Sequence, residues 1–209
     1  MGSKKIILLF GPTTSGKSKL AIDIAVKLNG EIVNADSMQV YKEIKILSAR
    51  PNDRSIKHHL YGFISAKENF SVGSWYKLAS SKIKEINKKG KFAIVTGGTG
   101  LYFKILEDGL AEIPNVPKID YSDLNLIRRN MLQSHYRKKY SKIFEGINRN
   151  DIQRIFRAIS IYNTTGITLR DWQKKKNKKY FNSKEFIKIC LVPPKPNLEE
   201  RIKKRFSEM

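Results

Sequence analysis

The chain has 209 residues, 40% of them apolar, and 41 basic against 19 acidic side chains give a formal net charge of +22. That balance supplies one main hydrophobic core, excludes a disordered chain, and favours a polyanionic partner, because basic surface gains affinity by releasing counterions from phosphates. The charge is uneven, with 18 basic and 10 acidic residues in 1–117 against 23 and 9 in the remainder, although lysine, asparagine and isoleucine are abundant throughout and a compositional bias explains the charge equally well.

Residues 4–10 read as a buried strand, and Gly16 to Leu28 as a helix with apolar positions at Leu20, Ala21, Ile24, Ala25 and Leu28. Glu31 to Ala35 is a second strand, Ser74 to Asn87 a helix, and Lys91 to Thr96 a third strand stopped by Gly97 and Gly98. Between Pro114 and Asn150 the rhythm breaks. A strongly basic helical stretch over Leu124 to Phe144 reads as an insertion at one edge of the sheet. The run Lys174 to Lys179 reads as a solvated loop. Phe186 to Val192 is a fourth strand, ended by Pro193 and Pro194, and a helix starts near Asn197 with Leu198, Ile202 and Phe206 on one side. The expected organisation is an α/β core over 1–113, a helical insertion over 114–150, and a return to the core over 151–209. Strands alternating with helices predict a mostly parallel sheet covered on both faces.

Cys190 is the only cysteine, which excludes an internal disulfide; in its apolar stretch it reads as a small buried hydrophobe in a reducing compartment. The N-terminal apolar run is too short for a signal peptide or a membrane span. The expectation is a cytoplasmic monomer without a membrane partner.

The stretch Gly11-Pro12-Thr13-Thr14-Ser15-Gly16-Lys17-Ser18 has the glycine, lysine and hydroxyl spacing of a phosphate-binding loop between a strand and a helix. Backbone N–H groups and the helix N-terminus surround the anion, Lys17 adds a fixed charge, and the Ser18 hydroxyl is suited to Mg²⁺. From spacing alone, the anion belongs to ATP or to another diphosphate. Ordinary nucleotide hydrolases hold their metal with a second carboxylate at the end of an apolar strand. Here the third strand ends in Thr-Gly-Gly-Thr, and only Asp36, at the tip of the second, fits such a place. In a parallel sheet, ligands bind beyond the carboxyl ends of the strands, where the loop, Asp36-Ser37, Gly97-Gly98-Thr99 and the helix bearing Arg201 and Arg205 are all expected. The adjacent His58 and His59 have no accompanying cysteine or carboxylate cluster and read as structural.

These motifs occur together and in one order: GPTTSGKS at 11–18, NADSMQVYKEI at 34–44, HHL at 58–60, FSV at 70–72, GGTGLYFKIL at 97–106, NDIQRIFRAISIYNTTG at 150–166, and spaced arginines over 198–209. In this the chain resembles the tRNA dimethylallyltransferases, a family with a P-loop-type α/β fold. The resemblance implies transfer of a dimethylallyl group from dimethylallyl diphosphate to the exocyclic amine of the adenosine adjacent to the tRNA anticodon, with Mg²⁺. It implies that Gly11, Pro12, Thr13, Thr14, Ser15, Gly16, Lys17, Ser18, Arg201 and Arg205 bind the diphosphate, with Lys17 and Ser18 serving catalysis and Ser18 the metal. Asp36 is the expected proton acceptor; a helix cap or a metal ligand at one remove is its plainer reading. Contact with tRNA is implied for Asp36, Ser37, Met38, Gln39 and Thr99, and for Gln153, Arg154, Ile155, Phe156 and Arg157. Periodicity meanwhile draws Ile152, Ile155, Phe156 and Ile159 into an apolar stripe.

Departures from the family pattern are Thr14-Ser15 for Ala-Ser, Ser18 for Thr, Lys57 for a proline, and no aspartate after His59. Family members continue beyond Met209 with further RNA-binding helices, so poor RNA binding or inactivity is expected of these 209 residues alone. A nucleoside or nucleotide kinase, a tRNA-binding module without catalysis, and a prenyltransferase acting on free adenine nucleotides are the competing readings.

Overall fold

In a computed structural model the described residues are 6–52, 55–117, 130–131, 134–135, 138, 141–148, 150–175 and 177–207. Residues 4 and 5 of the expected first strand, and most of the helix expected over 124–144, lie outside them. The apolar runs become five strands, β1 (Ile6–Phe10), β2 (Gly30–Asn34), β3 (His58–His59), β4 (Phe92–Gly97) and β5 (Phe186–Cys190). They form one parallel sheet in the order β3-β2-β4-β1-β5. The two residues of β3 were not legible as a strand; they pair with Ile32 and Val33 at the free edge of β2.

Helix α1 (Lys17–Lys27) returns from β1 and covers one face, where Ala21 and Ala25 lie against Ile7, Leu9, Ile32 and Ile94. Their small side chains let the helix approach closely. At the start of β2 only glycine fits beside β4: a Cβ on Gly30 would lie 2.3 Å from Ile94 Cδ1 and 2.9 Å from the Phe92 carbonyl. Alternation along the strands sends Ile6, Leu8, Val33, Ala93 and Val95 to the opposite face, and all are buried too. Helix α2 (Val72–Lys88) packs on β2 and β4 and against α3 (Gly100–Asp108). Its Trp75 is wholly buried and stacked on Tyr102 with ring centroids 4.0 Å apart. Burying each such large apolar side chain stabilises the fold by roughly 1.5–3 kcal/mol.

Strand β5 is an edge, and Ile187 is 39% exposed on it. Cys190 is exposed as well, which corrects its expected burial: an edge strand has a neighbour on one side only, and Ile187, Lys188 and Cys190 are all left in solvent.

By contacts the chain divides into one unit of residues 1–109 with 179–209 and another of 110–178. The second unit is therefore longer than the expected insertion over 114–150, and the return to the sheet comes at 179 rather than 151. Helix α4 (Ile152–Thr165) explains the difference. Its stripe of Ile155, Phe156, Ala158 and Ile159 is buried against Ile143 and Phe144 of a short 3-10 turn, Ser141–Phe144, inside the second unit. Asp151 caps its N-terminus by accepting from Arg154 N, and Gly166, at φ 66°, ends it in the left-handed conformation that glycine adopts without strain. Helix α5 (Leu169–Lys174) follows, its Trp172 Nε1 donating to Thr165 Oγ1 at 3.1 Å. An antiparallel bridge between Leu110 and Lys178 joins the unit's two ends. Helix α6 (Lys195–Ser207) belongs to the first unit.

Candidate functional site

At the carboxyl end of β1 the chain turns through Gly11 to Gly16 into α1. Gly11 passes under the continuation of β5, so that a Cβ would sit 2.2 Å from the Leu191 carbonyl oxygen; no other residue fits there. Thr14 (φ 57°) and Gly16 (φ 92°) are both left-handed, which coils the loop around the start of the helix. The first N–H groups of any α-helix lack intrahelical partners, and no acidic residue stands in this first turn to satisfy them. The turn is thus built for an external anion. Lys17 is half-buried, with Nζ donating to the Pro12 carbonyl at 2.5 Å and to Ser15 Oγ at 3.4 Å. Burial lowers its pKa, with Asp36 pushing upward and Arg205 downward, so these three charges share one field. Ser18 is exposed at the helix start, and Ser15 is buried.

Arg205 of α6 closes the loop from above. Its guanidinium donates to Thr13 Oγ1 at 2.6 Å and to the Leu47 carbonyl at 3.1 Å, tying the loop to the turn over 44–50. Arg201 is exposed and has no hydrogen bond or ion pair among the described residues, so only one of the paired arginines is brought to the loop.

Beyond β2, Asp36 is partly exposed. Its Oδ1 accepts from Met38 N at 2.9 Å, and a Cβ on Gly98 would lie 3.4 Å from its Oδ2. The strand ends come this close because Gly97 and Gly98 lack side chains: a Cβ on Gly97 would meet the Ala35 backbone at 2.1 Å. Thr99 precedes α3 as its cap residue but makes no side-chain cap bond. Its hydroxyl instead accepts from Ser37 N at 2.9 Å and donates to Ser37 Oγ at 3.2 Å, joining the ends of β2 and β4. Burial pushes the Tyr61 phenol well above its ordinary pKa and that of Tyr102 up to about 12, with Asp36 adding to both. Met38 is 54% exposed, whereas Gln39 spends its amide on the Ser48 and Ala49 carbonyls at 2.8 and 3.3 Å.

The residues of α4 stand in the second unit. Gln153, Arg154 and Arg157 are exposed, while Ile155 and Phe156 are 0% and 2% exposed. Those two were expected at RNA; their side chains hold the unit's core, so they offer no side chain to a ligand. The apolar stripe already carried that signal.

Two groups were missed by sequence reasoning. Asn34, wholly buried at the end of β2, bonds to Asp36 and Leu60 through its amide, and the sole hint was a polar residue after Ile32-Val33. At the other end of the same strand Glu31 accepts from His59 Nε2 at 2.7 Å and Lys91 Nζ at 2.8 Å. Lysine and histidine that far along the chain gave no sign of it. Among the described residues no group of three His, Cys, Asp or Glu could hold a metal ion, and no helix is long and apolar enough to cross a membrane.

Comparison with known proteins follows the same residues. A family model described as IPP transferase matches 39–209, leaving the phosphate loop outside the matched segment. The tRNA dimethylallyltransferase of Pelagibacter ubique is 46% identical across 98% of this chain and 67% of its own length, a match that takes in the loop. Among solved structures, a eukaryotic dimethylallyltransferase acting on tRNA superposes with a TM-score of 0.72 at 26% identity, over 99% of this chain and 54% of that one. The tRNA isopentenylpyrophosphate transferase of Bacillus halodurans gives 0.63 at 27%, over 98% and 65%. The chain thus spans about two thirds or less of the length of these relatives. With its fold, its loop and its sequence in agreement along nearly its whole length, the chain belongs to the IPP transferase family, the tRNA dimethylallyltransferases.

Proposed function

We propose that this chain carries the reaction centre of a transferase that moves a dimethylallyl group from its diphosphate to the exocyclic amine of the adenosine adjacent to the anticodon in tRNA, in the cytoplasm. The observation that supports the reading is an anion-shaped loop carrying Lys17 and closed by Arg205 through Thr13, with the Asp36 carboxylate beyond the carboxyl end of the same parallel sheet. The allylic C–O bond breaks with its electron pair leaving on the diphosphate, while the amine nitrogen's lone pair forms the new C–N bond. The nitrogen's proton passes to the Asp36 carboxylate. Lys17, Arg205, Thr13 and the loop amides hold the departing anion. Mg²⁺ fits here as a hard cation that keeps most of its water: the exposed Ser18 hydroxyl and the diphosphate oxygens would hold it, and it would neutralise the leaving charge. Thr99 and Ser37, bound to one another, frame the approach to Asp36, and Gln153, Arg154 and Arg157 offer polar groups to the RNA from the second unit.

A kinase reading is disfavoured by β4, which ends in Val95-Thr96-Gly97 with no carboxylate to share the metal. The test is incubation of the full-length protein with unmodified tRNA and radiolabelled dimethylallyl diphosphate, with and without Mg²⁺, beside a parallel reaction with labelled ATP. Label should enter tRNA from the prenyl donor, and phosphate should not be transferred. Label from ATP, or tRNA left unlabelled, rejects the reading.

A further inference from the structure

A carboxamide that is 0% exposed at the tip of a strand is unfavourable unless its donors and acceptor are all used, and those of Asn34 are. Its Oδ1 accepts from Asp36 N at 2.8 Å. Its Nδ2 donates to the Asp36 carbonyl at 3.0 Å and to the Leu60 carbonyl at 3.0 Å. One side chain therefore grips Asp36 by both its backbone N–H and its C=O, and ties that grip to the chain just after β3. The clamp is itself held. Trp75 Nε1 donates to the Asn34 carbonyl at 2.8 Å from within the core, and Leu60 is kept at φ 63°, a left-handed geometry that a leucine adopts only when its surroundings impose it.

With Asp36 pinned at N–H and C=O, the direction of its Cα–Cβ bond is fixed, and the bond from Met38 N to Oδ1 sets the carboxylate plane. We propose that Asn34 is the positioning residue for Asp36, holding the carboxylate at the angle and distance at which it takes the amine proton. Asn34 does so from the interior, without touching either substrate. The proposal rests on Asp36 being the proton acceptor. It separates two duties along three residues of chain: Asn34 orients and Asp36 accepts.

The experiment compares wild type, Asn34→Ala, Asp36→Asn and the double variant in the full-length protein, with activity expressed per folded molecule and backbone amide exchange followed by NMR. Asn34→Ala should lower kcat by about 100-fold, the scale of a displacement near 1 Å, with KM for tRNA and for the prenyl donor held within about twofold. The double variant should be no slower than Asp36→Asn. The Asp36 amide should exchange at least about 10-fold faster in Asn34→Ala while the amides of β4 keep their protection. Unchanged kcat per folded molecule, a raised KM with kcat intact, or additive losses in the double variant would each overturn the proposal. Full activity in Asp36→Asn removes the proton acceptor and this inference with it. If the wild type transfers no prenyl group, the functional reading has failed separately, and the exchange measurement alone decides whether Asn34 positions Asp36: retained protection in Asn34→Ala refutes it.

Discussion

The two ends of β2 each carry a carboxylate, and they are treated in opposite ways. At the amino end Glu31 is 3% exposed and enclosed by His59 and Lys91, so that both its oxygens are bonded to side-chain nitrogens. At the carboxyl end Asp36 is partly exposed and has one short backbone bond, and it is the neighbouring Asn34 that is saturated. A carboxylate buried with both oxygens bonded to side-chain donors is committed to structure, because a ligand cannot reach it without breaking those bonds. One whose backbone is held instead leaves a carboxylate oxygen available to a ligand. The same strand thus contributes an anchor for the edge strand β3 at one end and, on the proposed mechanism, the proton acceptor just beyond the other.

The contrast can be broken most forcefully at Asp36. Asp36→Asn should lower kcat by about 1000-fold, within the range for loss of a general base, with the protein as stable as wild type. A loss of stability comparable to that of a buried-ion variant would erase the distinction. Glu31→Ala is the complement: it should cost about 3 kcal/mol in urea unfolding, the scale of a broken buried pair, with kcat per folded molecule unchanged. Arg205→Lys comes next, since the planar fork that reaches Thr13 and Leu47 together is lost, and kcat/KM for the prenyl donor should fall about 10-fold, with kcat lowered too.

The smallest effect concerns acidity at the structural end. For Glu31, burial opposes ionisation but the bonds from Lys91 and His59 outweigh it and hold its pKa below the ordinary value. Burial likewise lowers that of His59, with Glu31 opposing. In both cases the unfolded chain binds more protons than the folded one as pH falls, so stability should be complete above about pH 6.5 and decline below it, first through His59 and then through Glu31. Urea midpoints at pH 7.5 and pH 5.5 should differ, and the difference should shrink in His59→Gln. An undiminished difference in that variant assigns the acid sensitivity elsewhere.

The phosphate loop was legible before any fold because its signal is local: glycine spacing, one lysine and one hydroxyl directly after an apolar run dictate their own turn. The same holds for α1 and β4, whose periods of 3.6 and apolar continuity lie within single stretches. Asp36 and Thr99 could be placed at the strand ends from the apolar runs before them, their roles coming only from the family resemblance, and the bond from Ser37 to Thr99 was not foreseen. Cys190 was misjudged from an apolar neighbourhood, since whether a strand lies at an edge is decided by the sheet order and not by the strand. Likewise Ile155 and Phe156 could be assigned to RNA only while their partners, Ile143 and Phe144, were unidentified.

What the sequence determined by itself was therefore the phosphate-loop spacing and the order of α and β elements, both written in short-range pattern. The tertiary structure alone decided which side chains meet across long intervals of chain: His59 and Lys91 on Glu31, Asn34 on Leu60, and Arg205 on Thr13. Such pairings depend on strand order and on which helix returns to which loop. Local propensity holds no record of either, because the burial that makes those contacts favourable exists only once the whole sheet has closed around them.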